Sequence, residues 1–150
     1  MSIAKTSTPR AMAAELVRTA GVRMTRQRRA VLEAVLGSCD HPTAASIFER
    51  ARQILPGISL ATVYNCLETL AETGLINHLN FDNGPSRFCA NLEPHVHLID
   101  DASGTVLDIH LKTGLRPEDV FDLPPGTCIT SMDTCLRGRV PQKSLVIERK

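Results

Sequence analysis

Four breakers cut the first half of the chain into helix-length pieces. Gly21, Gly37, Pro56-Gly57 and Gly74 each close a segment, and a chain interrupted this often builds short packed helices rather than a long coiled coil. Residues 10–20, "RAMAAELVRTA", read as a first helix stopped by Gly21. "MTRQRRAVLEAVLGS" follows, with Thr25 as N-cap and Val31, Leu32, Val35 and Leu36 on one stripe. "HPTAASIFERARQIL" gives the next helix, capped near Thr43, with Ala44, Ile47, Phe48, Ala51, Ile54 and Leu55 facing inward. "SLATVYNCLETLAETG" begins at the Ser59 cap and ends with Gly74 at C′. "LINHLNFDNGPSRF" then alternates apolar and polar residues around Asn83-Gly84, a hairpin signal.

Helices followed by a hairpin in that order describe a winged helix, the helix-turn-helix variant with a β wing. The break at Pro56-Gly57 suits the turn of the helix-turn-helix pair. The helix from Ser59 would then enter the major groove, leading with its N-terminal turns. Its candidate contacts are Ser59, Ala61, Thr62, Tyr64 and Asn65; the small residues permit close approach, and Asn and Tyr reach base edges or phosphates. Four arginines within "RMTRQRR" (Arg23, Arg26, Arg28 and Arg29) would meet the flanking backbone. The bland alternative is a helical domain with a solvated arginine cluster. Charge leans the same way as the motif: residues 1–80 carry nine Lys/Arg against six Asp/Glu, and residues 81–150 eight against ten. An excess this small supports a polyanion partner only weakly.

Beyond the hairpin the texture changes to short alternating stretches, "SRFCA", "HVHLIDD", "TVLDIHL" and "TCITSMD", with a short helix around "RPEDVF". The expected architecture is α+β: an N-terminal winged helix-turn-helix over residues 1–85, then a small α/β domain over 86–150 that dimerises or senses. With four Phe, one Tyr and no Trp, the core must be aliphatic, and few flat surfaces remain for stacking single-stranded bases. No apolar run approaches the ~20 residues of a membrane span, and "MSIAKTSTPR" lacks the apolar centre of a signal peptide. A cytoplasmic protein with no membrane partner is expected. Five widely spaced cysteines (Cys39, Cys66, Cys89, Cys128 and Cys135) without a Cys-x-x-Cys argue against a disulfide framework and a Cys-rich zinc site. Four of them read most simply as small buried hydrophobes, and pairing of Cys128 with Cys135 is not expected in a cytosolic setting.

His95 and His97 stand one residue apart at the head of an apolar run. On a strand both imidazoles share a face, where they either present two nitrogens to one metal ion or sit on the solvent side of an amphipathic strand. His78, at the start of the wing, reads as solvated. His110 reads as a surface residue on the face opposite Asp108.

"GVRMTRQRRAVLEAV", "DHPTAASIFERA", "SLATVYNCLETLAETGLI" and "HVHLIDDASGTVLDI" together resemble the ferric uptake regulator (Fur) family, over roughly residues 15–145. The most specific piece is "ATVYN" in a capped helix, followed by the hairpin and the His-x-His. The resemblance implies a dimeric, metal-responsive repressor of double-stranded operator DNA, with an N-terminal winged helix and a C-terminal dimerisation domain. It implies that Tyr64 contacts bases and that Arg23 reaches the minor groove. Asn65 stands where iron regulators often carry Arg. The regulatory metal would be held by His41, His95, His97 and Asp108, with Cys89 where iron and peroxide regulators have Glu or Asp. Such an ion would pin the two domains in the DNA-binding arrangement.

Two departures from the family pattern matter. Asp100 and Ser103 stand at the first of the family's Cys-x-x-Cys pairs, and Val140 and Lys143 at the second. A structural zinc is therefore not expected, and packing alone would have to stabilise the second domain. A further His/Asp/Glu site would fall on Pro94, Val96, Leu115 and Met132, none a good ligand, which leaves one divalent ion per protomer. Zinc suits a set of imidazoles, one carboxylate and one thiolate, whereas His41 and Asp108 follow the Fe(II) or Mn(II) pattern. Haem is disfavoured by the lack of a Cys-Pro motif. Three other readings stand beside this one: a redox or peroxide sensor of the PerR kind using the same site or Cys89, a DNA-binding protein with a vestigial site, and a metallohydrolase. "HVHLIDD" lacks the adjacent third His such a hydrolase needs, and no catalytic pattern or small-molecule substrate is suggested.

Overall fold

A computed structural model describes residues 14–15, 17–18, 20–37, 40–81, 84–93, 95–112, 114–130, 132 and 134–142. It divides into two compact units, Met1–Leu92 and Glu93–Lys150. The first carries α1 (Arg26–Leu36), α2 (Ala44–Ile54), α3 (Leu60–Glu72), β1 (Asn77–Leu79) and β2 (Arg87–Cys89). The second carries β3 (Val96–Asp100), β4 (Val106–Ile109), a one-turn helix α4 (Pro117–Val120) and β5 (Cys135–Gly138). Because β2 pairs with β1, it stands with the first unit, past the 85/86 boundary read from the sequence.

Each long helix starts where its capping side chain satisfies an orphan N–H. Thr25, Thr43 and Ser59 accept from the backbone of Arg28, Ser46 and Thr62, a contact that stabilises each helix by about 1 kcal/mol. Gly74, at φ 72°, closes α3 in the left-handed region that glycine enters without penalty. Periodic apolar positions then meet in one core: Val31, Leu32 and Val35 of α1, Ile47 and Ala51 of α2, and Val63, Leu67 and Leu70 of α3. Ile54 departs from expectation at 46% exposed. It lies in the last turn of α2 and lines a surface groove with Met24, Arg29 and Leu55. Of the segment expected as a first helix, residues 14, 15, 17, 18 and 20 are helical, and residues 10–13 lie outside the described region.

The wing is an antiparallel pair in which Asn77, His78 and Leu79 face Cys89, Phe88 and Arg87. Asp82 and Asn83 lie outside the described residues. His78 is exposed, as expected, and its ring stacks on Phe88 with 5.0 Å between centroids.

In the second unit β3 lies at the centre of the order β4-β3-β5, antiparallel to β4 and parallel to β5. The strand expected at "TCITSMD" is displaced: residues 127–130 are not in a strand, and Cys135–Gly138 pair with β3 instead. The Thr134 carbonyl accepts from His97 N, and the Gly138 carbonyl from Asp101 N. Parallel pairing of this kind is set by the partner strand, not by local alternation. It also leaves Cys135 exposed, like Cys128, which corrects the reading of these two thiols as buried, whereas Cys66 and Cys89 are buried; none of these four described cysteines is in a disulfide. Cys39 lies outside the described residues.

Packing alone does not hold this unit. Asp100, only 1% exposed, accepts at Oδ2 from the Ser103 hydroxyl at 2.6 Å and the Ser103 N–H at 2.9 Å, and at Oδ1 from the Val140 N–H at 3.0 Å. The carboxylate thus ties the β3–β4 turn to the segment after β5, among positions where the resemblance places the family's cysteines. The Ser103 hydroxyl first, then the Val140 N–H, hold the Asp100 carboxyl below the usual carboxylate range. A carboxyl depressed in the fold stabilises it above the unfolded pKa, near ~3.9, and loses that effect as pH falls through the folded value. At neutral pH the contribution is therefore complete. We predict that Asp100→Ala lowers the unfolding temperature by about 5 °C or more. The acid limb of the stability profile below about pH 4 should flatten in Asp100→Asn. Calorimetry across pH, with a chelator present throughout, checks both; an unchanged transition would show that the three bonds contribute nothing net.

Candidate DNA-binding surface and metal-ligand clusters

α3 presents Ala61, Tyr64 and Asn65 to solvent while Val63, Cys66 and Leu67 are buried. Tyr64, the chain's one tyrosine, is 55% exposed. The Ser59 and Thr62 hydroxyls, 2.8 Å apart, are already engaged in the helix cap. Arg23, Arg26 and Arg29 are exposed. Arg28 differs: it is half-buried, and its Nη1 donates to the Arg23 carbonyl at 2.8 Å. Burial pushes the thiol of nearby Cys66 up, with Arg28 pulling the other way, so Cys66 is a core residue and not a reactive thiol.

Two sequence-predicted ligands fall in the first unit. His41 precedes α2 and is 4% exposed, with its backbone in the left-handed region at φ 50°. Such a conformation costs a non-glycine residue on the order of 1 kcal/mol and persists only where the surroundings impose it. Here they do. The Arg87 guanidinium donates to the His41 carbonyl at 3.0 Å, the Phe88 N–H donates to the Pro42 carbonyl at 3.0 Å, and Thr43 bridges to Arg87. On the other side, the Arg50 guanidinium forks onto the Asp40 carboxylate. Cys89, 4% exposed, lies at the end of β2, and its sulfur accepts the Asn91 N–H at 3.4 Å. A ring nitrogen of His41 and the Cys89 sulfur lie within 4.8 Å of each other.

The other three fall in the second unit. His95 and His97 are 7% and 9% exposed, which rules out the solvent-side reading of the His-x-His. His97 faces Asp108 across the β3–β4 ladder. The two Nε2 atoms are 3.0 Å apart, and Asp108 Oδ1 lies 3.4 Å from the first and 3.5 Å from the second. Ligand atoms around a tetrahedral ion with bonds of ~2.0–2.1 Å stand roughly 3.3 Å apart, and the triangle's separations of 3.0, 3.4 and 3.5 Å bracket that spacing, the shortest being also a hydrogen-bond distance between the two rings. The Glu93 carbonyl, 2.6 Å from His95 Nδ1, can only accept, which places the proton on Nδ1 and leaves the Nε2 lone pair for a metal. His110 corrects the expectation of an opposite face. Period-two alternation puts residues 108 and 110 on one side, and the His110 ring centroid is 6.3 Å from that of His95, although the residue is exposed. Reading every second position would have found it; nothing in the sequence signalled the Glu93 or His41 carbonyl contacts.

A winged helix whose third helix exposes Ala61, Tyr64 and Asn65, followed by a unit that buries an imidazole pair beside a carboxylate at its central strand, is the arrangement of a two-domain regulator class. The chain belongs to the ferric uptake regulator family, whose model matches residues 19–119. The members are transcriptional regulators and not enzymes, which removes the metallohydrolase alternative. The chain is 37% identical over 94 residues to the peroxide-responsive repressor PerR of Staphylococcus epidermidis, a match that spans 63% of each protein. It is 39% identical over 98 residues to the peroxide operon regulator of Bacillus subtilis, covering 65% of this chain and 68% of that protein. Among solved structures, a zinc-bound manganese uptake regulator is 27% identical with a TM-score of 0.60, covering 87% of this chain and 99% of that one.

Proposed function

We propose that the protein is a homodimeric, metal-dependent repressor that binds double-stranded operator DNA through α3, the wing, Arg23 and the arginines in the first turn of α1. Its ion, one per protomer, is held by His41, Cys89, His95, His97 and Asp108. The observation that carries this reading is the His95–His97–Asp108 triangle with its fixed His95 tautomer. His41 and Cys89, both buried in the first unit, add an imidazole and a thiolate to this proposed five-donor set. One thiolate among nitrogen and oxygen donors favours zinc, with Fe(II) and Mn(II) as the competing ions. A bound cation would neutralise the charge of the carboxylate and thiolate among these donors. Self-association is supported by Leu115, Val120, Phe121, Leu123 and Leu136, all exposed in the second unit. No described helix is long and apolar enough to cross a membrane.

The test is elemental analysis of protein purified from its host, followed by operator selection with and without chelator. One divalent ion per chain and operator binding lost on chelation are expected; binding indifferent to metal would overturn the reading. Within that assay, Tyr64→Ala is predicted to lose roughly 1–3 kcal/mol of discrimination between operator and random DNA. Arg26→Ala should weaken both alike and reduce the salt slope by about one. A Tyr64→Ala protein with unchanged specificity would mean that α3 does not read bases.

The peroxide-responsive relatives favour a second reading, in which the Cys89 thiolate attacks hydrogen peroxide, the O–O bond breaks, and a sulfenic acid and hydroxide form. Mass spectrometry of the alkylated protein before and after peroxide separates the two: only the second reading requires modification of Cys89 to precede loss of operator binding.

A further inference from the structure

Within the first unit the strand that carries Cys89 also carries the group that holds His41. Arg87 and Cys89 lie two residues apart on β2, hence on one face. The Arg87 Nη1 donates to the carbonyl of the one described non-glycine residue with positive φ, at 3.0 Å, while the backbone of Phe88 takes the next carbonyl. We propose that Arg87 is the positioning residue of this donor pair: its hydrogen bond keeps the left-handed backbone at His41 that brings the imidazole within reach of the Cys89 sulfur. The proposal rests on the metal-site reading above.

Charge makes the assignment testable in sign. A guanidinium beside a cation site, taken as a charge alone, opposes metal binding, so deleting it would tighten the site. Deleting a group that orients a ligand loosens it, typically by ~10–100-fold. The two accounts predict opposite changes from one substitution.

The experiment is a zinc competition titration against a chromogenic chelator on the full chain and on Arg87→Met, Arg87→Lys, His41→Ala and the Arg87→Met/His41→Ala double variant. Melting curves of each metal-free protein accompany it. We expect Arg87→Met to weaken zinc binding at least ~10-fold, and Arg87→Lys, which can still donate to a carbonyl, to recover most of the loss. In the double variant Arg87→Met should add nothing to the loss caused by His41→Ala, because a misplaced ligand and a missing one are the same defect. Should Arg87→Met fail to melt cooperatively, the comparison of Arg87→Lys with and without His41 replaces it. Unchanged or tighter zinc binding in Arg87→Met, beside a clear loss in His41→Ala, overturns the role of Arg87. Additive losses overturn it too. If His41→Ala itself binds zinc as the parent does, the metal-site reading fails at His41 and the inference with it.

Discussion

His97→Ala is expected to abolish metal-dependent operator binding while leaving the fold and non-specific DNA affinity in place. His97 is the second residue of β3, the middle strand of its sheet, and its Nε2 stands 3.0 Å from that of His95 and 3.5 Å from Asp108 Oδ1. Removing it takes away the corner of the triangle that faces both other donors, so zinc affinity should fall by more than the ~10–100-fold that loss of an outer partner costs. The strand itself is held by backbone bonds to β4 and β5, including His97 N to the Thr134 carbonyl, and these survive truncation of the side chain. Tyr64 and the exposed arginines are also untouched, which preserves the salt-dependent attraction to phosphate. Cys128→Ser, which alters an exposed side chain outside the triangle, α3 and the wing, serves as the control and should change neither property. Paired titrations, chelator competition for metal and operator binding at fixed salt, decide the matter. If His97→Ala keeps its response to chelator, the imidazole pair is a structural feature of a buried strand.

What the sequence disclosed and what it withheld divide along physical lines. Caps and breakers are local chemistry, so Thr25, Thr43, Ser59 and Gly74 could be placed without knowledge of the fold. Helical periodicity likewise located Val31, Leu32, Ile47 and Ala51 in the core. It failed at Ile54, where the helix runs out of neighbours and an apolar residue is left at a groove rim. β5 was misplaced because the alternation in "TCITSMD" is as good as that in "TCLRG", and only the partner strand chooses between them. At the candidate site the ligand types were legible and their supports were not. A His-x-His announces two nitrogens, but the Glu93 carbonyl that sets one tautomer and the Arg87 bond that holds His41 are contacts of backbone oxygens, which carry no residue-type signal. Asp100 was read only as a missing cysteine, yet its three hydrogen bonds close the turn and the C-terminal segment around it.

Cys89→Asp is expected to change which metal the protein prefers, lowering zinc affinity more than manganese or Fe(II) affinity. A thiolate is a soft, strongly donating ligand, and its binding releases a proton because the metal takes only the deprotonated sulfur. Aspartate keeps the negative charge and replaces soft sulfur by hard oxygen, the donor that manganese and Fe(II) accept more readily. The surroundings can receive it: the Cys89 sulfur already accepts the Asn91 N–H at 3.4 Å, and Asn77 Nδ2 fixes that segment through the Asn91 carbonyl at 2.8 Å. A carboxylate oxygen can accept the same N–H. Cys89 is nonetheless buried beside the first-unit core, so the substitution will also cost stability. Melting of the metal-free variant measures that cost separately from metal choice. Cys89→Ser removes charge and softness together, and should lose zinc affinity and any response to thiol oxidants while losing less stability. His97→Ala, which removes a ligand all three ions would use, should weaken each of them alike and so calibrates the comparison. Competition titrations with the three metals on each variant, read beside operator binding, give the ratio that matters. A zinc-to-manganese preference unchanged in both Cys89→Asp and Cys89→Ser would place the sulfur in the core and leave the ion to His and Asp alone.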